Sequence, residues 1–370
     1  MPNSRLSGLT AAGQSVWSDQ ISRSMLDSGE LTRRVTEDFV TGVTSNPTIF
    51  ASAVARGSDY DRRLRDLSHD GVTDQEAVVT LITADIQDAC DVLRPVWEWS
   101  EGGDGFVSVE VSPLVAHDVE ATVAEAREWV KHVDRSNLLV KVPATGPGVE
   151  AIRQLISEGI SINVTLIFSL QRYAEVIGAY QQGLAEYAAS GGRLKGVASV
   201  ASFFVSRVDT EVDKRLEAMD HETALALRGK AAIANALAAY AVFLEHFRSE
   251  TWQQLAAEGA RLQRPLWAST STKNPTYSDT MYVENLVAPH TVNTMPLETI
   301  DAFQDHGQYL PQPFGALEIE AAHETLKALE SVGIDMDDVT AVLEREGVDK
   351  FSKSWNELLA VVGQKRAELS

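Results

Sequence analysis

The chain has 370 residues, 44% of them hydrophobic and 23% charged, which is enough apolar material for a sizeable buried core. A net charge of −21 excludes a general binder of nucleic acid or anionic membrane, since both need a basic field; a few placed cations can still hold a small anion. The single cysteine, Cys90, excludes an internal disulfide and a cysteine metal cluster, and its place in the helical pattern LITADIQDACDVL makes it a packing residue.

The first residues, MPNSRLSGLTAAG, have no apolar signal-peptide core, no run approaches membrane-spanning length, and the last residues, QKRAELS, match no common address. A cytoplasmic protein is expected. Along the chain, short apolar strand patterns alternate with longer amphipathic helical ones. The strand candidates are SVWSDQI (15–21), GVTSNP (42–47), FVSVEVSP (106–113), LLVKVPA (138–144), SINVTLI (161–167), VASVASFFV (197–205), PLWAST (265–270) and TVNTM (291–295). Residues 118–133 form a helical pattern that opens acidic and ends basic, as the helix dipole favours, and a second runs from Ser169 to the Gly191-Gly192 stop. The gaps before the third and seventh strands have room for two helices each. Such alternation predicts an α/β fold, a (β/α)8 TIM barrel with additional helices. One catalytic domain over 1–370 is expected, with residues 307–370 as a C-terminal helical extension over the barrel mouth.

Successive side chains of a strand point to opposite faces. Ile160, Ile162, Val164 and Leu166 share one face of the fifth strand, and Ser161, Asn163 and Thr165 the other. Ser108 and Glu110 oppose Val107, Val109 and Val111; Lys141 opposes Val140 and Val142; Trp17, Asp19 and Ile21 share a face, as do Thr44 and Asn46, and Ser202 is in phase with Phe204. Apolar faces suit the surrounding helices, which leaves Asp19, Asn46, Glu110, Lys141, Asn163, Thr165 and Ser202 converging on the interior. Barrel interiors ordinarily carry Val, Ile and Leu. One reading of this polar set is a buried ion-pair network without chemistry, a poor source of stability. The other is a reactive amine: burial disfavours an ammonium, and a neutral amine attacks ketones to form a Schiff base. Carboxylates such as Asp19 and Glu110 would move the protons, a hydroxyl such as Thr165 would hold the water, and asparagines would bind substrate hydroxyls.

Three motifs carry a family resemblance. GVTSNPTIF (42–50) resembles the Thr-x-Asn-Pro second-strand motif of the transaldolases, SVEVSP (108–113) their glutamate strand, and NLLVKVPATGPGVEAIRQLISEGISINVTLIFSLQRY (137–173) their signature region; SVWSDQI matches the aspartate strand more loosely. The resemblance runs from about residue 7 to 365. It implies Lys141 as Schiff-base nucleophile, Asp19 as the acid/base at the C4 hydroxyl, and Glu110 and Thr165 as the pair that activates the water of imine formation and hydrolysis. It further implies Asn46 and Asn163 as ligands of a dihydroxyacetone unit, Thr44 beside them, and Ser202 and Arg207 as part of a phosphate site. Phe203 stands where a proline is common, which local packing would explain. The implied reaction exchanges sedoheptulose 7-phosphate and glyceraldehyde 3-phosphate with erythrose 4-phosphate and fructose 6-phosphate, with no cofactor and no metal, in a monomer or homodimer. Lys273, just past the seventh strand, is either a second phosphate cation or a solvated loop lysine. Phe351, Trp355 and Leu358 form the apolar side of a final helix.

Other readings are weaker. TGPGVEA (145–151) satisfies G-x-G-x-x-A, but it follows the lysine strand, and its glycines turn the chain from strand to helix. None of the eight histidines forms an HxH or HExxH pattern, which argues against a metal hydrolase, and His117-Asp118 reads as a cap. Fructose 6-phosphate aldolases resemble the same inner face but are shorter and lack the glutamate; Glu110 and the chain length favour a transaldolase.

Overall fold

A computed structural model describes residues 4–45, 47–308 and 314–369. Helix α1 (Arg5–Ala11) leads into β1 (Gln14–Ser18). Helices α2 (Arg23–Asp27) and α3 (Glu30–Glu37) precede β2 (Val40–Thr44), and α4 (Pro47–Arg56), α5 (Asp61–His69) and α6 (Asp74–Trp99) precede β3 (Phe106–Glu110). A regular stretch follows: α7 (Val119–Val133), β4 (Leu138–Pro143), α8 (Gly146–Ser157), β5 (Ile162–Ile167), α9 (Leu170–Ala189) and β6 (Ser199–Phe204). Four helices, α10 (Ser206–Met219), α11 (Glu222–Leu225), α12 (Ala231–His246) and α13 (Glu250–Ala257), lead to β7 (Gln263–Ala268). Then come α14 (Met281–Asn285), β8 (Thr291–Met295), α15 (Leu297–His306), α16 (Ala316–Ser331) and α17 (Met336–Leu369).

The strands pair in parallel and in chain order, and β8 closes on β1. This is the expected (β/α)8 barrel with a C-terminal helical segment. Two gaps hold more helices than their lengths suggest. Gly57 and Gly71 divide the segment before β3 into three, where Thr73 and Glu76 form a reciprocal capping box at the start of α6. Asp220 and Gly229, both at positive φ, interrupt the segment before β7.

Alternation sorts the strand residues as expected, with Val140, Val142, Ile162 and Val164 buried in the main apolar core. Leu166 is the exception. It takes φ +60° and the β5–β6 register shifts between Val164 and Ile167, so a bulge ends the strict alternation and re-aims its side chain to the C-terminal helix. At the N-terminal end of the barrel, side chains cross-link the strands around a cavity of about 220 Å³ lined by Trp17, Phe106 and Arg264. Trp17 lies so close to β2 that a Cβ on Gly42 would sit 2.3 Å from its ring, and its indole donates to Asp104 at 2.8 Å. Arg264 donates to Ser15 at 2.7 Å and to the Thr291 carbonyl at 2.6 Å. The C-terminal mouth carries a cleft of its own.

α17, 34 residues long, crosses that mouth and is tied down along its length. Asp338 pairs with Arg215 at 2.7 Å, Ser354 accepts from Thr48 at 2.8 Å, and Lys365 pairs with Asp61 at 3.0 Å. Trp355, Leu358 and Val362 bury its apolar side, chiefly against α4. Cys90 is free and buried in α6, as a packing residue.

Candidate active site

Parallel pairing sets Glu110 opposite Lys141, Lys141 opposite Asn163 and Pro143 opposite Thr165. Inward residues of neighbouring strands therefore stand side by side. Lys141 Nζ donates to Glu110 Oε2 at 3.2 Å, with the two residues only 7% and 6% exposed. Burial raises the Glu110 carboxyl above its usual range, and the Lys141 charge opposes that rise. Asn163 is held from both sides: its Nδ2 donates to Ser108 Oγ at 3.0 Å, and its Oδ1 accepts from Ser202 Oγ at 2.7 Å. Each amide atom keeps capacity for one further bond. Thr165 is fully buried, and its Oγ1 makes no hydrogen bond with the described residues.

Asp19 follows β1 directly, and its backbone N–H donates to the Met295 carbonyl at 2.9 Å. Its Oδ1 is buried without a hydrogen-bond partner among the described residues. Desolvation raises its pKa to about 6 despite the opposing charges of Lys141 and Lys273. Polar groups left unpaired in a native interior call for an explanation, and a task in moving protons is one.

Asp19, Thr44, Lys141, Arg207 and Lys273 line one cleft of about 290 Å³ at the mouth. Thr44 Oγ1 lies 3.0 Å from Thr294 Oγ1, so β8 supports it. Arg207, in the first turn of α10, stacks over Phe204 with Cζ 4.9 Å from the ring centre. Desolvation lowers its pKa, a trend that Glu110 and Glu346 oppose. Lys273 reaches the cleft from the loop after β7 and donates to Ser271 at 2.6 Å. Asn46 lies outside the described residues. Phe203 packs between Tyr173 and Trp267, with ring centres 5.9 and 6.3 Å away, which accounts for its place instead of a proline.

Two further sequence readings have a local explanation. Gly148 does turn the chain: a Cβ there would lie 2.0 Å from the Pro143 carbonyl, and Thr145 caps α8 by accepting from its N–H at 3.0 Å. Asp118 caps α7 by accepting from the Ala121 N–H at 3.0 Å.

Other cleft groups were not legible. Phe351 of α17 faces Lys141, with Nζ 5.3 Å from its ring centre, and Lys350, Ser354 and Thr294 complete the wall. Helical periodicity marked Phe351 as apolar but could not say what it covers.

Fold and cleft together define a β/α-barrel protein whose buried amine and two carboxylates gather at the C-terminal mouth. The sequence profile described as transaldolase/fructose-6-phosphate aldolase matches residues 16–362. A transaldolase of Saccharopolyspora erythraea is 53% identical over 360 residues, covering 97% of each chain. One of Thermobifida fusca is 54% identical over 364 residues, covering 98% of this chain and 99% of its own. One of Mycolicibacterium smegmatis is 50% identical over 363 residues, covering 98% of each. The chain belongs to the transaldolase/fructose-6-phosphate aldolase family.

Proposed function

We propose that this protein is a transaldolase of the non-oxidative pentose phosphate pathway, acting in the cytoplasm on sugar phosphates through a Schiff base on Lys141. The observation that carries the reading is the buried Lys141–Glu110 pair at 3.2 Å, with Asp19 at the same cleft. In this reading Lys141 Nζ attacks the ketose C2 carbonyl. Glu110, with Thr165 placing the water, takes the amine's proton and returns one to the departing hydroxyl, leaving an iminium. Asp19 then takes the C4 hydroxyl proton. The C3–C4 bond breaks, its electron pair enters the iminium to give an enamine, and the aldehyde leaves. The aldehyde acceptor reverses these steps, and hydrolysis frees the ketose product. Thr44, Asn46, Asn163 and Ser202 hold the dihydroxyacetone unit or orient the groups that do, while Arg207 and Lys273 take the terminal phosphate.

The family description also covers an aldolase that releases the three-carbon unit to water. Relatives at 50–54% identity that are transaldolases favour transfer. The test is borohydride reduction in the presence of fructose 6-phosphate, followed by peptide mapping. A reduced adduct on Lys141, absent in Lys141→Ala, is expected; an adduct on another lysine, or none from an intact fold, would overturn the assignment. Adding erythrose 4-phosphate should give sedoheptulose 7-phosphate. Release of free dihydroxyacetone without that product would favour the aldolase.

A further inference from the structure

α17 brings a cation as well as a cover. Lys350 precedes Phe351, the residue whose ring faces Lys141, and lines the same cleft as Arg207 and Lys273. The three come from separate elements: the first turn of α10, the loop after β7, and the middle of α17. None of them is in an ion pair within 4.0 Å among the described residues; Lys273 donates to Ser271 and Arg207 rests on Phe204. Arg207, partial burial and Lys273 together hold the Lys350 ammonium below the usual lysine range. A chain of net charge −21 has gathered three cations at one cleft, where Arg207 and Lys273 both repel the Lys350 charge. Glu110 and Glu346 act on Arg207, and Asp19 on Lys273, without forming a close ion pair with any of the three; like charges brought together are destabilising, and a doubly charged anion seated among them relieves the remaining repulsion.

α17 is held there by close packing. A Cβ on Gly347 would meet Leu166 Cδ2 at 2.9 Å and Arg207 Nη1 at 3.7 Å. The bulge at Leu166 and the absent side chain at Gly347 together let the helix descend onto Arg207. Thr48 donates to Ser354 one turn beyond, so Lys350 sits between two anchors.

We propose that Lys350 is a specificity-determining residue: it joins Arg207 and Lys273 to clamp the terminal phosphate, so that the C-terminal helix selects phosphorylated sugars. This inference rests on the transaldolase reading for its substrate, and on the cleft alone for its anion.

The test uses the full chain with Lys350→Met and Lys350→Arg. The ratio of kcat/KM for fructose 6-phosphate to that for unphosphorylated fructose should fall about tenfold in Lys350→Met, the scale of one lost charge-assisted hydrogen bond, and recover in Lys350→Arg. Inorganic phosphate, titrated calorimetrically into the wild type and both variants, is the second readout, with binding weakened in Lys350→Met and retained in Lys350→Arg. An unchanged ratio together with unchanged phosphate affinity in a folded Lys350→Met would overturn the proposal. If the wild type turns over neither sugar, the transaldolase reading fails by itself, and the phosphate titration still decides the clamp. Phosphate that binds equally to all three proteins would place the anion elsewhere.

Discussion

Asp19 and Glu110 are carboxylates of one kind held in different company. Glu110 is paired with Lys141 Nζ at 3.2 Å; Asp19 Oδ1 is buried without a partner among the described residues, and its pKa rises to about 6 from an ordinary 3.8. Asp19 is then a carboxylate, and a usable base, only above about pH 6. Carbon–carbon cleavage should fall about tenfold per pH unit below that point, and a pH–rate profile of single-turnover cleavage would show it; an acid limb near 4 would remove Asp19 from the role. Asp19→Asn should still form the reducible adduct on Lys141 while cleavage collapses. Stability moves the other way. The raised pKa means that the folded state binds the proton more tightly than the unfolded chain, so Asp19 lowers stability as pH rises from about 4 to about 6. Asp19→Asn should therefore melt higher than wild type at pH 8, with the gap closing by pH 4. The inward placement of Lys141 and Glu110 was legible because alternation is a local property of a strand. The solvation of Asp19 was not, because it depends on which side chains surround the mouth.

The element that changes most between sequence and structure is α17. Its apolar stripe was readable, and Trp355 and Leu358 do pack on neighbouring helices. Phe351 lies on the same stripe yet covers the Lys141 amine, and periodicity cannot separate those two partners. The Leu166 bulge was equally hidden: SINVTLI alternates without fault, and the departure to φ +60° has no mark in it. Gly347 is the counterpart of that bulge. Gly347→Leu should push α17 from the mouth, destabilise the protein by about 1–3 kcal/mol as overpacked sites do, and raise KM for the phosphorylated ketose. Chemical denaturation and steady-state kinetics check it; an unchanged midpoint and KM would mean that the helix tolerates the added volume.

Across the whole molecule, the barrel is cross-linked at one end by Trp17, Asp104 and Arg264 and carries the Lys141 cleft at the other. α17 packs on α4, α5, α6 and α10, elements from the first and middle parts of the chain, and the main apolar core runs from Trp17 to Val362. Separate folding of residues 307–370 would leave Trp355, Leu358 and Val362 without their partners. The chain should unfold as one unit, with calorimetric and van't Hoff enthalpies in agreement; two resolved transitions would make the C-terminal segment a second domain.

By itself, the amino-acid sequence determined the alternation of strand and helix, the inward set around Lys141 and the family motifs, because period and spacing are written over a few neighbouring residues. Only the tertiary structure decided that Phe351 faces the amine, that Lys350 joins Arg207 and Lys273, and that Asp19 is desolvated. Those contacts join residues far apart in the chain, and they exist only once β8 has closed on β1 and α17 has been laid across the mouth.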